Sequence, residues 1–76
     1  MQTVTIRCFA ALRERAGRSS WEEPLRSGDT VRDLYARLFP PGDLPVAFVL
    51  NRATVAGTAA PAPGDEVAFL PPVGGG

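Results

Sequence analysis

The six residues Pro71-Pro72-Val73-Gly74-Gly75-Gly76 close a 76-residue sequence, and their chemistry centres on one group, the α-carboxylate of Gly76. Such a carboxylate has an unperturbed pKa of about 3.3–3.7 and is ionised at neutral pH. Its carbon is electron-rich, so it becomes an acyl donor only after a leaving group is installed, for example by adenylation with ATP. The acyl-adenylate then accepts a thiol, an amine or sulfide. Capture of sulfide gives a thiocarboxylate, a soft nucleophile that can pass its sulfur on. Proline holds φ and projects the chain in an extended direction, while glycine enters passages too narrow for a Cβ. The segment therefore reads as a flexible C-terminal tail, 71–76, presenting Gly76 to the active sites of other proteins.

Composition removes the competing chemistries. There is no histidine, and the single cysteine, Cys8, offers neither an internal disulfide nor a zinc cluster. Eight acidic and eight basic residues give a net charge of zero, which argues against a nucleic-acid partner because phosphate neutralisation needs a basic excess. All the basic residues are arginine, so no lysine amine is present to receive a modification. A chain this short buries only about 60% of its unfolded surface and has little room for a private catalytic pocket. A carrier or binding module is expected, cytoplasmic, with no apolar run approaching the ~20 residues that span a bilayer.

The tail needs a scaffold, and residues 1–70 are expected to supply it as one domain. Thr3 to Phe9 alternates with period two, placing Val4, Ile6 and Cys8 on one face of a strand, with Cys8 a packed core thiol. Ala10 to Ala16 favours a short helix stopped by Gly17, and Ser19 to Glu23 a second strand, antiparallel to the first. Glu22 and Glu23, as strand neighbours, face opposite sides and make no catalytic pair. Arg13-Glu14-Arg15 reads as a solvated helix surface. Thr30 caps the clearest helix with Asp33 at its third position, and Val31, Leu34, Tyr35 and Leu38 form one apolar stripe. Phe39-Pro40-Pro41-Gly42 ends it. The apolar run Val46–Leu50 predicts a strand, Thr54-Val55 a brief one, and Glu66–Leu70 the last after a Gly64-Asp65 turn. This order predicts an α+β fold, a mixed sheet of four to five strands with one main helix across a face. Phe48 and Phe69 read as core, the default for aromatics on strands, or as anchors for a partner if either faces outward, and Trp21 fits either class.

The blocks Phe9-Ala10-Ala11-Leu12-Arg13-Glu14-Arg15-Ala16-Gly17, Asp29-Thr30-Val31-Arg32-Asp33-Leu34 and Gly64 through Val73 with the terminal glycine pair resemble the MoaD/ThiS family of ubiquitin-like sulfur carriers. The likeness runs over nearly the whole chain, and the C-terminal block is its most specific part. It implies a ubiquitin-like β-grasp with the first and last strands parallel at the sheet centre. It further implies that a MoeB-type activating enzyme adenylates Gly76 using ATP and that a sulfur donor converts it to a thiocarboxylate. The tail would then enter a MoaE-like large subunit, in a heterotetramer, and give sulfur to precursor Z for the molybdopterin dithiolene. No cofactor is expected on the chain itself. The resemblance places Phe69, Pro71, Pro72, Val73, Gly74 and Gly75 at partner contacts, with Gly74 where the family more often has Ser, Thr or Ala. Related carriers for thiamin, cysteine or tRNA thiolation, and ubiquitin-like protein modifiers, share the same kind of tail.

Overall fold

The computed structural model describes residues 2–39 and 46–70. In chain order they form β1 (Thr3–Cys8), α1 (Ala10–Ala16), β2 (Ser20–Pro24), α2 (Val31–Leu38), β3 (Ala47–Leu50), β4 (Ala53–Val55) and β5 (Glu66–Leu70). The strands make one five-stranded sheet ordered β2-β1-β5-β3-β4. At its centre β1 and β5 run parallel, with Cys8 opposite Phe69, and the flanking pairs are antiparallel. A parallel pair cannot be joined by a tight turn, so the whole middle of the chain serves as the crossover. The architecture is the expected α+β β-grasp.

Alternation in β1 produces the core directly. Val4, Ile6 and Cys8 are fully buried, together with Leu12 of α1, Val31 and Leu34 of α2, and Val67 and Phe69 of β5. Each buried side chain of this size contributes about 1.5–3 kcal/mol relative to exposure. Helix α2 begins with a full capping box. The Thr30 hydroxyl accepts from the Asp33 N–H at 3.1 Å, and the Asp33 carboxylate accepts from the Thr30 N–H at 2.9 Å. Its predicted stripe points inward, with Val31 and Leu34 buried and Tyr35 and Leu38 packed at the core margin. Residues 40–45, which hold the predicted Pro-Pro-Gly stop, lie outside the described residues.

Two ends of elements were settled by backbone chemistry. Helix α1 terminates at Gly17, whose φ of 77° is left-handed and whose N–H donates to the Arg13 carbonyl at 2.9 Å. The β3–β4 hairpin turns through Asn51 and Arg52, with φ of 49° and 72°, the pair of positive values a two-residue primed turn requires. Asn51 suits such a conformation; Arg52 adopts it against the preference of its Cβ.

Candidate functional site

The register divides the sheet into two faces. Facing the helices are Val4, Ile6 and Cys8 of β1, Trp21 and Glu23 of β2, Phe48 and Leu50 of β3, and Val67 and Phe69 of β5. The opposite, open face carries Thr3, Thr5 and Arg7, with Glu22 of β2, Ala47 and Val49 of β3, and Glu66, Ala68 and Leu70 of β5. No helix covers it.

This open face is graded along the strands. At the start of β1 and β5 it is polar. Glu22 accepts hydrogen bonds from the Thr5 hydroxyl at 2.6 Å and the Thr3 hydroxyl at 2.9 Å, and these bonds hold its carboxyl below the usual range. In the middle, Arg7 pairs with Glu66 at 3.4 Å and lies over the Phe9 ring, 5.6 Å from its centroid. Toward the end of β5 the face turns apolar. Ala47 stands opposite Leu70 and Val49 opposite Ala68. Phe9, just past β1, is the one large hydrophobic residue classed as exposed among the described residues, at 38%. The apolar end of the open face therefore coincides with Leu70, the residue directly before Pro71.

The predicted site residues divide accordingly. Gly76, Gly75, Gly74, Val73, Pro72 and Pro71 lie outside the described residues. Phe69, expected at a partner contact, is instead a core residue. It is 0% exposed and packs among Tyr35, Phe39 and Phe48, with ring centroids 5.2, 6.1 and 6.0 Å away. Its register opposite Cys8 turns it to the helices, so no ring surface is left for a partner. Phe48 is half-buried in the same cluster, and Trp21 packs at the core edge with its indole N–H donating to Glu23 at 2.9 Å. Arg18 lies over that indole, 4.3 Å from the ring centroid. Cys8 is the core thiol expected; burial raises its pKa, against smaller opposing effects of Arg13 and Arg18. Residues missed from sequence are Phe9 and Leu70. The period-two spacing Thr3, Thr5, Arg7, Phe9 carried the signal for the first.

Among the described residues no cluster of three or more His, Cys, Asp or Glu could hold a metal, and no helix is long and apolar enough to cross a membrane.

A mixed five-stranded sheet with its parallel pair central, one face packed by helices and the other open, defines a ubiquitin-like β-grasp domain. The ThiS family model matches residues 6–76, and the chain belongs to that family, within the wider group of ubiquitin-like sulfur carriers and modifiers. Its structure is similar to small archaeal modifier protein 1 of Haloferax volcanii, with 26% identity and a TM-score of 0.80 over 96% of this chain and 100% of that one. It is also similar to a Pyrococcus furiosus protein described as molybdopterin converting factor, subunit 1, at 26% identity and a TM-score of 0.75, covering 96% and 100% of the two chains. Urm1 of Trypanosoma brucei shares the fold at 16% identity and a TM-score of 0.66, covering 99% and 96%. No curated protein matches the chain.

Proposed function

We propose that this chain is a sulfur carrier, the small subunit of a molybdopterin synthase, acting in the cytoplasm through Gly76. A MoeB-type enzyme uses ATP to form the Gly76 acyl-adenylate, and a sulfur donor displaces AMP to leave a thiocarboxylate. A MoaE-like large subunit, in a heterotetramer, receives the tail and supplies the catalytic acid and base groups. Sulfur then passes to precursor Z. Pro71, Pro72, Val73, Gly74 and Gly75 line the passage through the partner, while Phe9 and Leu70 contact the surface of the enzyme that takes the tail. The observation that carries this reading is a ThiS-family chain in which Pro-Pro-Val-Gly-Gly-Gly directly follows the central strand. The exposed Phe9 beside that strand's end supports a docking surface there.

The likeness to an archaeal modifier protein favours one alternative, in which activated Gly76 is attacked by an amine of a target protein. Both are tested by incubating the chain with an activating enzyme, ATP and a sulfur donor and measuring intact mass. Exchange of one oxygen for sulfur is expected, followed by loss of that sulfur when a large subunit and precursor Z are added. Failure to form the sulfur species overturns sulfur carriage. A stable thiocarboxylate that an active large subunit does not consume points to thiamin, cysteine or tRNA thiolation, and amide conjugates to other proteins point to the modifier.

A further inference from the structure

Phe9 is 38% exposed, yet its backbone is held from both sides. It is extended, with φ of −137° and ψ of 158°. Its carbonyl accepts from the Leu12 N–H at 3.1 Å and from the Arg13 N–H at 3.4 Å, so the first turn of α1 grips it from the C-terminal side. Cys8, directly before it, donates its N–H to the Ser19 carbonyl at 3.0 Å. Between Phe9 and the rest of α1 the chain turns through Ala10 at φ of 52°, a left-handed value that a residue with a Cβ adopts at a cost. Strain of this kind persists where the surrounding structure over-determines it, and it gathers at functional sites.

The ring is met on the open face by Arg7, two residues earlier on the same side of β1. The guanidinium carbon lies 5.6 Å from the ring centroid, within the range at which a cation is drawn to the negative face of an aromatic ring. Arg7 is itself tied from the other side, its Nη1 donating to Glu66 Oε2 at 3.4 Å. Glu66 is anchored in turn. Its N–H donates to the Asn51 side-chain oxygen, and its carbonyl accepts from the Asn51 N–H, both at 2.9 Å. A relay thus runs from the β3–β4 turn through Glu66 and Arg7 to the Phe9 ring. With 45% of the Arg7 side chain exposed, water screens the ion pair and its contribution to stability is small. Its effect is on freedom: a long side chain that would sample many rotamers is confined, and the ring beside it with it.

We propose that Arg7 is a positioning residue, holding the Phe9 ring, before any partner arrives, in the orientation in which the ring docks. The inference rests on the reading of Phe9 as a contact for the enzyme that takes the tail, and adds the device that sets the geometry of that contact. Ordering an interface side chain costs free energy at binding, and a ring ordered beforehand spares that cost. Arg7 then contributes to affinity through Phe9 and not through a contact of its own.

A double-mutant cycle on the full chain, with a MoeB-type activating enzyme and titration calorimetry, separates those two routes. Arg7→Met keeps the apolar stem and removes the charge. It is expected to weaken binding about two- to fivefold, the size of an exposed cation–π contact. Arg7→Lys keeps a cation and is expected to recover most of that loss. In a Phe9→Ala background Arg7→Met is expected to cost nothing further. Losses that simply multiply show Arg7 meeting the partner directly and overturn the proposal, as does wild-type affinity in Arg7→Met while Phe9→Ala binds weakly. A second readout needs no partner. The Hα–Hβ couplings of Phe9 in the free protein, measured by NMR, are expected to report one χ1 rotamer in the wild-type chain and averaged rotamers in Arg7→Met. Averaged couplings in the wild type overturn the positioning and leave docking through Phe9 intact. Wild-type affinity in Phe9→Ala overturns the docking reading, and with it the purpose assigned to Arg7, whatever the order of the ring.

Discussion

Phe69 and Leu70 are neighbours in one strand and belong to different parts of the molecule. Phe69 points to the helices and is enclosed by three aromatic rings. Leu70 points to the open face, opposite Ala47, and stays partly exposed. The same contrast holds for the two faces as wholes. The helix face has a partner inside the molecule for every apolar side chain. The open face ends in an apolar area where Phe9 is exposed and Leu70 only partly covered. Apolar surface left exposed beside Leu70 is the observation that supports the proposed docking of another protein there.

The contrast breaks first at Phe69. Phe69→Ala is expected to lose about 3–5 kcal/mol, the range for truncating a buried phenylalanine, and urea denaturation would show it. A change below ~1 kcal/mol would mean that the aromatic cluster does not hold the tail root. On the open face the order reverses. Phe9→Ala and Leu70→Ala are expected to cost less stability than Phe69→Ala, each within about 1.5 kcal/mol, yet to weaken binding to the activating enzyme at least about tenfold, as truncated anchors do. Titration calorimetry separates the two effects, and unimpaired binding would remove the open face from the proposed function.

A smaller effect concerns the side of the molecule away from both faces' apolar ends. Asp29 accepts from Arg37 at 3.0 and 3.2 Å and from the Arg26 N–H at 2.8 Å, and Arg37 also donates to the Pro24 carbonyl. The Arg37 hydrogen bond chiefly holds the Asp29 carboxyl below its ordinary value. Because the folded pKa is the depressed one, this stabilisation is full above the unfolded value near 3.9 and is lost as pH falls through the folded value. Asp29→Asn is therefore expected to cost about 1–2 kcal/mol at neutral pH and to flatten the acid limb of the stability curve. An unchanged acid limb would assign acid sensitivity to other carboxylates. Smallest is Arg52→Gly, expected to stabilise by about 0.5–1 kcal/mol by relieving the positive φ of the hairpin turn, read as a rise in melting temperature.

Much of the fold was legible because its signals are local. Val4, Ile6 and Cys8 alternate; Thr30 and Asp33 cap; Gly17 stops a helix. The reading of Gly76 rests on the sequence alone, because residues 71–76 lie outside the described residues. What stayed hidden depends on register. Val46–Leu50 is a continuous apolar run, so no periodicity separates Phe48 on the core side from Val49 on the open side until β3 is aligned with β5. Phe69 and Leu70 are equally apolar, and only the pairing of Cys8 with Phe69 decides which faces inward. Arg52 carried no turn signal, since its positive φ is imposed by a two-residue hairpin and not by its own preference. Phe69, which the family likeness puts at a partner contact, is enclosed in the core, a placement that only the register with Cys8 reveals.

The division between a folded domain and a working tail is tested most directly by deleting Gly76 and making two measurements on the same sample. The denaturation curve is expected to superimpose on that of the full chain, while intact mass after treatment with activating enzyme, ATP and sulfur donor shows no exchange of oxygen for sulfur. A deletion variant that unfolds with the wild-type curve and still acquires and transfers sulfur would contradict the account.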